Sequence, residues 1–173
     1  MITKIRQAKD KLIAKILLRH PALFTAWEKK SETLAFNDVP WVNLEKPVAE
    51  SKLALVTTGG VHLKKQEPFD MVDPNGDAGF REIPFDTPIN ELKITHNYYD
   101  HRNADKDINI IFPLERVQHL QGNREIGELS QYHFSFMGHI LGDQLDVLRN
   151  HSIPLLIKRL KEEQVDIVVL SPA

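Results

Sequence analysis

The 173 residues include no cysteine. That excludes disulfides, thiolate zinc sites and a cysteine nucleophile within this sequence, so any redox chemistry draws on atoms from elsewhere. No run approaches the roughly 20 apolar residues needed to cross a bilayer, and the N-terminus lacks the apolar stretch of a secretory signal. The cytosol is the compartment these features imply. There is no internal repeat and no low-complexity tract. Neither a GxGxxG nor a GK[ST] sequence occurs, so neither a dinucleotide fold nor a nucleoside triphosphatase is supported.

Net charge is also low, at −2, but it is unevenly distributed. Residues 1–30 carry eight Lys and Arg against two acids, which leaves fourteen against twenty-two in the remaining 143 residues. Such an acidic body is a poor nucleic-acid binder. In the basic segment Ile5, Ala8, Leu12 and Ile16, with Ile13 and Leu17, recur at helical spacing, so an amphipathic helix is expected from Ile2 to His20. Its basic face suits an anionic membrane or a transit peptide. The absence of serine in the first thirty residues and the acidic body favour a docking helix with a solvated face. Pro21 breaks it or opens a second short helix through Lys29, and residues 37–50, with Pro40, Trp41 and Pro47, read as an extended linker anchored by the tryptophan.

The expected organisation is an arm and linker over residues 1–50, followed by an α/β domain over residues 51–173. Lys52 to Thr57 is a short apolar run ended by Gly59-Gly60, as for a buried strand. Glu91 to His96 and Ile108 to Phe112 are further strand candidates. Pro113 suits the first turn of a helix to about Gln121, with Gly122 at its end. Glu128 to Phe136 reads as a strand, Asp143 to Glu163 as a helix interrupted at Pro154, and Asp166 to Leu170 as a fully buried strand. Strands separated by helices predict a three-layer α/β domain with a mostly parallel sheet, preceded by the helical arm. The long irregular stretch from Gly59 to Asn90 is the kind of loop that carries function, and it starts where ligands enter open parallel sheets.

Within that frame, Thr57 to His62 (TTGGVH) offers glycine amides for an anion or simply a tight turn after a strand. Arg81 and Glu82, in GDAGFREIP, offer a guanidinium fork for a carboxylate or a structural clamp. Asp70, Asp73 and Asp77 do not have EF-hand spacing and read as a solvated turn. The histidines His96, His101, His133 and His139 lack the HExxH pattern, so no metal site is expected. His133 lies among apolar neighbours that lower the pKa of an imidazole, as in a satisfied core histidine. Ser135 lacks the flanking glycines of a nucleophile elbow.

Taken in order, the segments LALVTTGGVHLK (Leu53 to Lys64), GDAGFREIP (Gly76 to Pro84), ITHNYYD (Ile94 to Asp100), DKDINIIFPLERVQHL (Asp105 to Leu120), HFSFMG (His133 to Gly138) and VDIVVLSPA (Val165 to Ala173) resemble the selenoprotein B family of glycine, sarcosine, betaine and D-proline reductases. The resemblance implies an oxidoreductase component in which a selenol or thiol attacks the α-carbon of the substrate and expels the amine. It also implies other reductase subunits, a small selenoprotein partner and, for glycine, sarcosine and D-proline, a partner bearing a pyruvoyl group. Betaine needs no Schiff base.

In the family the strand resembling VDIVVLSPA leads into the selenocysteine or cysteine. The nucleophile is thus absent here, no cofactor is expected in this chain, and the 173 residues alone are expected to be inactive. The expected cause is a UGA codon after Ala173, which would also leave apolar sheet surface exposed and favour self-association. The surrounding shell matches at Gly59, Gly60, His62, Arg81, Glu82, His96, Asp107 and His133. From these, Arg81 is expected to take the substrate carboxylate and to approach the end of the Asp166 to Leu170 strand. His62 or His133 is expected to protonate the leaving amine, and the Gly59-Gly60 amides to stabilise an anion, with Glu82, His96 and Asp107 beside the substrate. The alternatives are a non-catalytic binding or assembly module of the same family and a membrane adaptor acting through the basic helix.

Overall fold

The computed structural model describes residues 42–173 and, before them, Leu12, Ile16, Arg19, His20, Ala22 and Thr25. The chain divides into two compact units, Met1–Asn43 with Asn97–Asp100, and Leu44–His96 with His101–Ala173. In the first, Leu12, Ile16, Arg19, Ala22 and Thr25 are helical and exposed. The rest of the expected basic helix, the break at Pro21 and the Trp41 anchor lie outside the described residues. All labelled elements below belong to the second unit. Among the described residues no helix is long and apolar enough to cross a membrane.

The second unit is a mixed α/β fold built on a mostly parallel sheet, as its alternation of apolar runs and helical segments predicts. Its centre is β1 (Lys52–Thr57), whose last five residues are all buried. A six-residue run this apolar is stable only with cover on both faces. On one side it pairs in parallel with β7 (Ile167–Ser171), from Leu53↔Ile167 to Thr57↔Ser171. On the other it pairs in parallel with β5 (Glu128–Leu129) at its start and β6 (Tyr132–Phe136) at its end. β3 (Phe80–Pro84) adds to β6 in the antiparallel sense. A separate antiparallel ribbon joins β2 (Val61–Leu63) to β4 (Leu92–Ile94).

Helix α1 (Leu114–Gly122) starts after Pro113, which needs no intrahelical N–H, and packs against β5. Helix α2 (Asp143–Val147) passes through a π turn, Leu148–Ser152, into α3 (Ile153–Glu162). The widened turn sits just before Pro154, which lacks an N–H and whose ring would strike the carbonyl four residues back. The expected interruption is therefore a bulge within a continuing helix. This run covers the sheet through Leu156, which packs with Val56, Phe134 and Phe136, flanked by Phe80, Leu148 and Leu160. Each such buried side chain contributes about 1.5–3 kcal/mol.

Three expectations need correction. Residues 108–112 are not a strand: Ile108–Ile110 form a 3₁₀ turn. The Asp107 carboxylate accepts the Asn109 backbone N–H at 3.0 Å, and the Asn109 side chain bridges Asp107 and Glu115, which curls the chain. The stretch from Gly59 to Asn90 is not wholly irregular, since it contains β2 and β3. Finally, β7 is not fully buried. It borders β1 on one side only, and Val168, Val169 and Leu170 are 39%, 36% and 73% exposed.

Candidate functional site

At the carboxyl end of β1 the chain turns through Thr57, Thr58, Gly59 and Gly60. Gly60 has φ +69°, a conformation that favours glycine. Its N–H donates to the Phe136 carbonyl at 2.9 Å and its own carbonyl accepts the Thr95 N–H at 2.9 Å, so one residue ties β6 to the segment after β4. The Gly59 N–H donates to Thr57 Oγ1 at 3.1 Å, and Gly59 bridges Met137. Both glycine amides thus donate to protein oxygens, which occupy the cradle read from the sequence. His96 packs beside this turn, near the Gly60 α-carbon, and is 6% exposed.

The end of β7 is fastened to the same turn. The Thr57 hydroxyl donates to the Ser171 carbonyl at 2.9 Å, and the Thr58 N–H donates to that carbonyl at 3.2 Å. The Ala173 N–H in turn donates to Thr58 Oγ1 at 3.0 Å. Gly138, just past β6, leaves room for this arrangement, because a β-carbon there would lie 3.1 Å from the Thr58 carbonyl oxygen and 3.5 Å from its Oγ1. Three segments far apart in sequence, TTGG, FMG and SPA, therefore meet where β1, β6 and β7 end. The sequence marked the segments but not the roles of Thr57, Thr58 and Gly138. The signal for the two threonines was a pair of hydroxyls directly before the two glycines.

His62 and Arg81 meet elsewhere, on opposite contacts of Phe69. The Arg81 guanidinium lies 4.3 Å from the Phe69 ring centre, and the His62 ring meets Phe69 edge-on at 6.2 Å. His62 is 2% exposed. Its Nδ1–H donates to the Leu63 carbonyl and its Nε2 accepts from the Thr95 hydroxyl, each at 2.8 Å, which suits a neutral ring. Burial lowers its pKa, the Leu63 carbonyl opposes this, and Arg81 and Lys93 lower it further. Arg81 donates to the carbonyls of Glu67, Pro68 and Phe80 and to the Asp77 carboxylate at 3.1 Å. These partners make it a clamp on the loop between β2 and β3. It stands on β3, with β6 and β1 between it and β7, so the expected approach to the end of the Asp166 to Leu170 strand does not occur. It also borders an open cleft of about 440 Å³ whose wall carries Glu67, Asp70 and Asp77. Three acids against one guanidinium disfavour a second carboxylate there.

The remaining candidates are dispersed. Glu82 accepts from Arg159 Nε at 3.1 Å. Asp107 caps its 3₁₀ turn, and the hydrogen bonds from Asn109 lower its pKa. His133 is fully buried, its Nδ1 accepts the Leu55 backbone N–H at 3.1 Å, and burial lowers its pKa to about 4. His96 is likewise lowered to about 4, by burial first and then by His139 and His101. Among the described residues no cluster of three or more His, Asp or Glu is placed to hold a metal ion. The structure thus gathers Gly59, Gly60 and His96 at the strand ends, pairs His62 with Arg81, and leaves Glu82, Asp107 and His133 apart.

Comparison with known proteins adds a family. The sequence model of the family described as glycine/sarcosine/betaine reductase selenoprotein B matches residues 25–173. The chain is similar to the D-proline reductase subunit gamma of Acetoanaerobium sticklandii, with 34% identity over 131 residues, covering 76% of this chain and 52% of that protein. It is also similar to the glycine reductase complex component B subunit gamma of Carboxydothermus hydrogenoformans, with 27% identity over 141 residues, covering 77% and 30%. The chain thus spans about half the length of the first relative and under a third of the second. No solved structure matches it significantly.

Proposed function

The chain belongs to the glycine/sarcosine/betaine reductase selenoprotein B family, and from that premise we propose that it is a component of a selenol- or thiol-dependent reductase that cleaves the carbon–nitrogen bond of glycine, sarcosine, betaine or D-proline, expelling the amine from the first three and opening the ring of D-proline. The reaction is a displacement at carbon. A selenolate or thiolate forms a bond to the substrate carbon as the carbon–nitrogen bond breaks, the electron pair leaves with nitrogen, and a dithiol returns the two electrons. With no cysteine, this chain supplies the frame and the walls of the site, and the nucleophile comes from atoms outside these residues. Other reductase subunits complete the assembly. A pyruvoyl group on a partner would supply an electrophilic carbonyl for amine-bearing substrates.

The observation that carries this reading is the meeting of TTGG, FMG and SPA at the carboxyl ends of three parallel strands, closed by the Ala173 N–H on Thr58 Oγ1 at 3.0 Å. Crevices in open parallel sheets form at such ends. Gly59, Gly60 and His96 lie at this meeting point, and the buried neutral His96 keeps a hydrogen-bonding ring there without adding charge. His62 and Arg81 act one step removed, by holding the loop around Phe69.

A second reading, a non-catalytic binding or assembly module of the same family, is favoured by the protein partners already held by Arg81, Gly59 and Gly60. The separating experiment incubates the intact polypeptide and its partner subunits with a dithiol and each substrate in turn, with the reduced product, deaminated or ring-opened, followed by mass spectrometry. Product from at least one substrate supports the reductase. Product from none, with all subunits present, leaves the assembly module.

A further inference from the structure

Thr57 is 1% exposed and its Oγ1 has two partners, accepting the Gly59 N–H at 3.1 Å while donating to the Ser171 carbonyl at 2.9 Å. One hydroxyl therefore connects the glycine turn to the last residue of β7. The Thr58 N–H takes the same Ser171 carbonyl at 3.2 Å, and Thr58 Oγ1 receives the Ala173 N–H at 3.0 Å. The ladder between β1 and β7 ends at Thr57↔Ser171. Thr58 thus continues it by one side-chain rung, past the point where backbone pairing stops. Serine, threonine and asparagine commonly satisfy loop amides in this way, but here the bond spans 115 residues rather than a local turn.

We infer that Thr57 and Thr58 form a hydroxyl clamp that sets the course of the Ser171–Ala173 segment past the strand ends, with Thr58 as a positioning residue for the reacting centre of the reductase. The inference rests on the reductase reading above. Gly138 is part of the device. A β-carbon at Gly138 would lie 3.1 Å from the Thr58 carbonyl oxygen, closer than ordinary contact, so the glycine keeps the backbone of the clamp in place. Misplacement of a reacting group by about 1 Å can cost on the order of 100-fold in rate, which sets the scale of the expected effect. A clamp of this kind changes turnover rather than substrate affinity, because none of its donors or acceptors is spent on substrate.

The test uses the intact polypeptide with its partner subunits and three variants, Thr58→Val, Thr58→Ser and Gly138→Ala. Thr58→Val keeps the shape of the side chain and removes the hydroxyl. It is expected to lower kcat for carbon–nitrogen cleavage at least about ten-fold, with KM within about two-fold. Thr58→Ser restores the acceptor and is expected to recover most of that loss. Independently, hydrogen exchange of the peptide containing Ala173 should accelerate in Thr58→Val and not in Thr58→Ser. A normal kcat or unchanged exchange in Thr58→Val overturns the inference, and so does an equal deficit in the valine and serine variants, which would assign the effect to packing. Where Thr58→Val fails to fold, Gly138→Ala decides by the same two readouts. If the unaltered protein cleaves the carbon–nitrogen bond of no substrate, the reductase reading fails and the positioning role falls with it. Faster exchange at Ala173 in Thr58→Val would then show that the clamp itself stands.

Discussion

The imidazole of His133 accepts the backbone N–H of Leu55 through Nδ1 at 3.1 Å, and so takes the place of a strand carbonyl at the centre of the sheet. The need for it comes from the interruption between β5 and β6. β1 meets β5 at Lys52 and Leu53 and β6 at Val56 and Thr57, and the chain between them bows away at Ser130 and Gln131. Glu163 holds that bow by accepting the Ser130 hydroxyl and the Gln131 N–H, both at 2.6 Å. Leu55 is left facing the gap, and an unpaired buried N–H would cost about 1–3 kcal/mol. With Nδ1 accepting, the neutral ring carries its proton on Nε2, which is buried and has no hydrogen-bond partner.

Acid should therefore destabilise the fold well before the carboxylates titrate. Burial holds His133 and His96 near pKa 4 in the folded protein, below the ordinary value of 6.5. Between those values the unfolded chain binds more protons, so stability is full above pH 6.5 and falls as the pH drops toward 4. At pH 5 the loss is about 2 kcal/mol per histidine. His133→Asn, which keeps an acceptor for Leu55 but cannot be protonated, should remove roughly half of this acid sensitivity. Urea unfolding at pH 7 and pH 5 measures it, and equal stability of the unaltered protein at the two pH values would refute the account.

Much of this arrangement was legible in sequence, and the failures have physical causes. β1, α1 and the π-interrupted α2–α3 run followed from apolar runs and proline placement. β3 escaped because its five residues show neither alternation nor full burial, and only pairing with β6 makes them a strand. Ile108–Ile110 had the composition of a strand, but the Asp107 and Asn109 side chains decided otherwise. β7 had the composition of a central strand and occupies a border, since position within a sheet is set by topology rather than by local residues. In the site, the glycine turn was readable, whereas the use of its amides by Phe136 and Thr57 depends on contacts across the fold.

Arg81 should behave as a loop clamp. Its carbonyl partners at Glu67 and Pro68 lie in the segment it fastens, as do Asp77 and Phe69, which complete the grip. Lysine has one compact charge and cannot reproduce that fork. Arg81→Lys is expected to cost about 2 kcal/mol and to admit protease between residues 64 and 79, while KM in the intact reductase stays within about two-fold. A sharply raised KM with unchanged protease resistance would instead assign Arg81 to the substrate carboxylate.

Two glycines should respond oppositely to alanine. At Gly60, φ +69° strains any L side chain, and a β-carbon would strike the Thr95 carbonyl. Gly60→Ala is expected to cost about 3 kcal/mol or more. Gly122 closes α1 with nothing within 4 Å of the added carbon, so Gly122→Ala should be neutral or stabilising by up to about 1 kcal/mol. Chemical denaturation of both variants tests the pair. A neutral Gly60→Ala would mean that the turn after β1 adopts another conformation.

The exposed border of β7 should govern self-association. Leu170 pairs with Val56, so both project to the sheet face that α3 covers; Val56 is buried under Leu156, whereas Leu170 is 73% exposed. Val168 shares that face at 39% exposure, and Val169 projects to the other at 36%. A border strand with apolar side chains on both faces is a template for pairing with another strand, and a charge on it blocks that pairing. Because Leu170 has little contact to lose, Leu170→Lys is expected to change stability by no more than about 0.5 kcal/mol while shifting the protein toward monomer. Sedimentation velocity over a concentration series, with chemical denaturation alongside, reads both quantities. A loss above about 2 kcal/mol would mean that Leu170 is buried in solution, and unchanged association would move the contact away from β7.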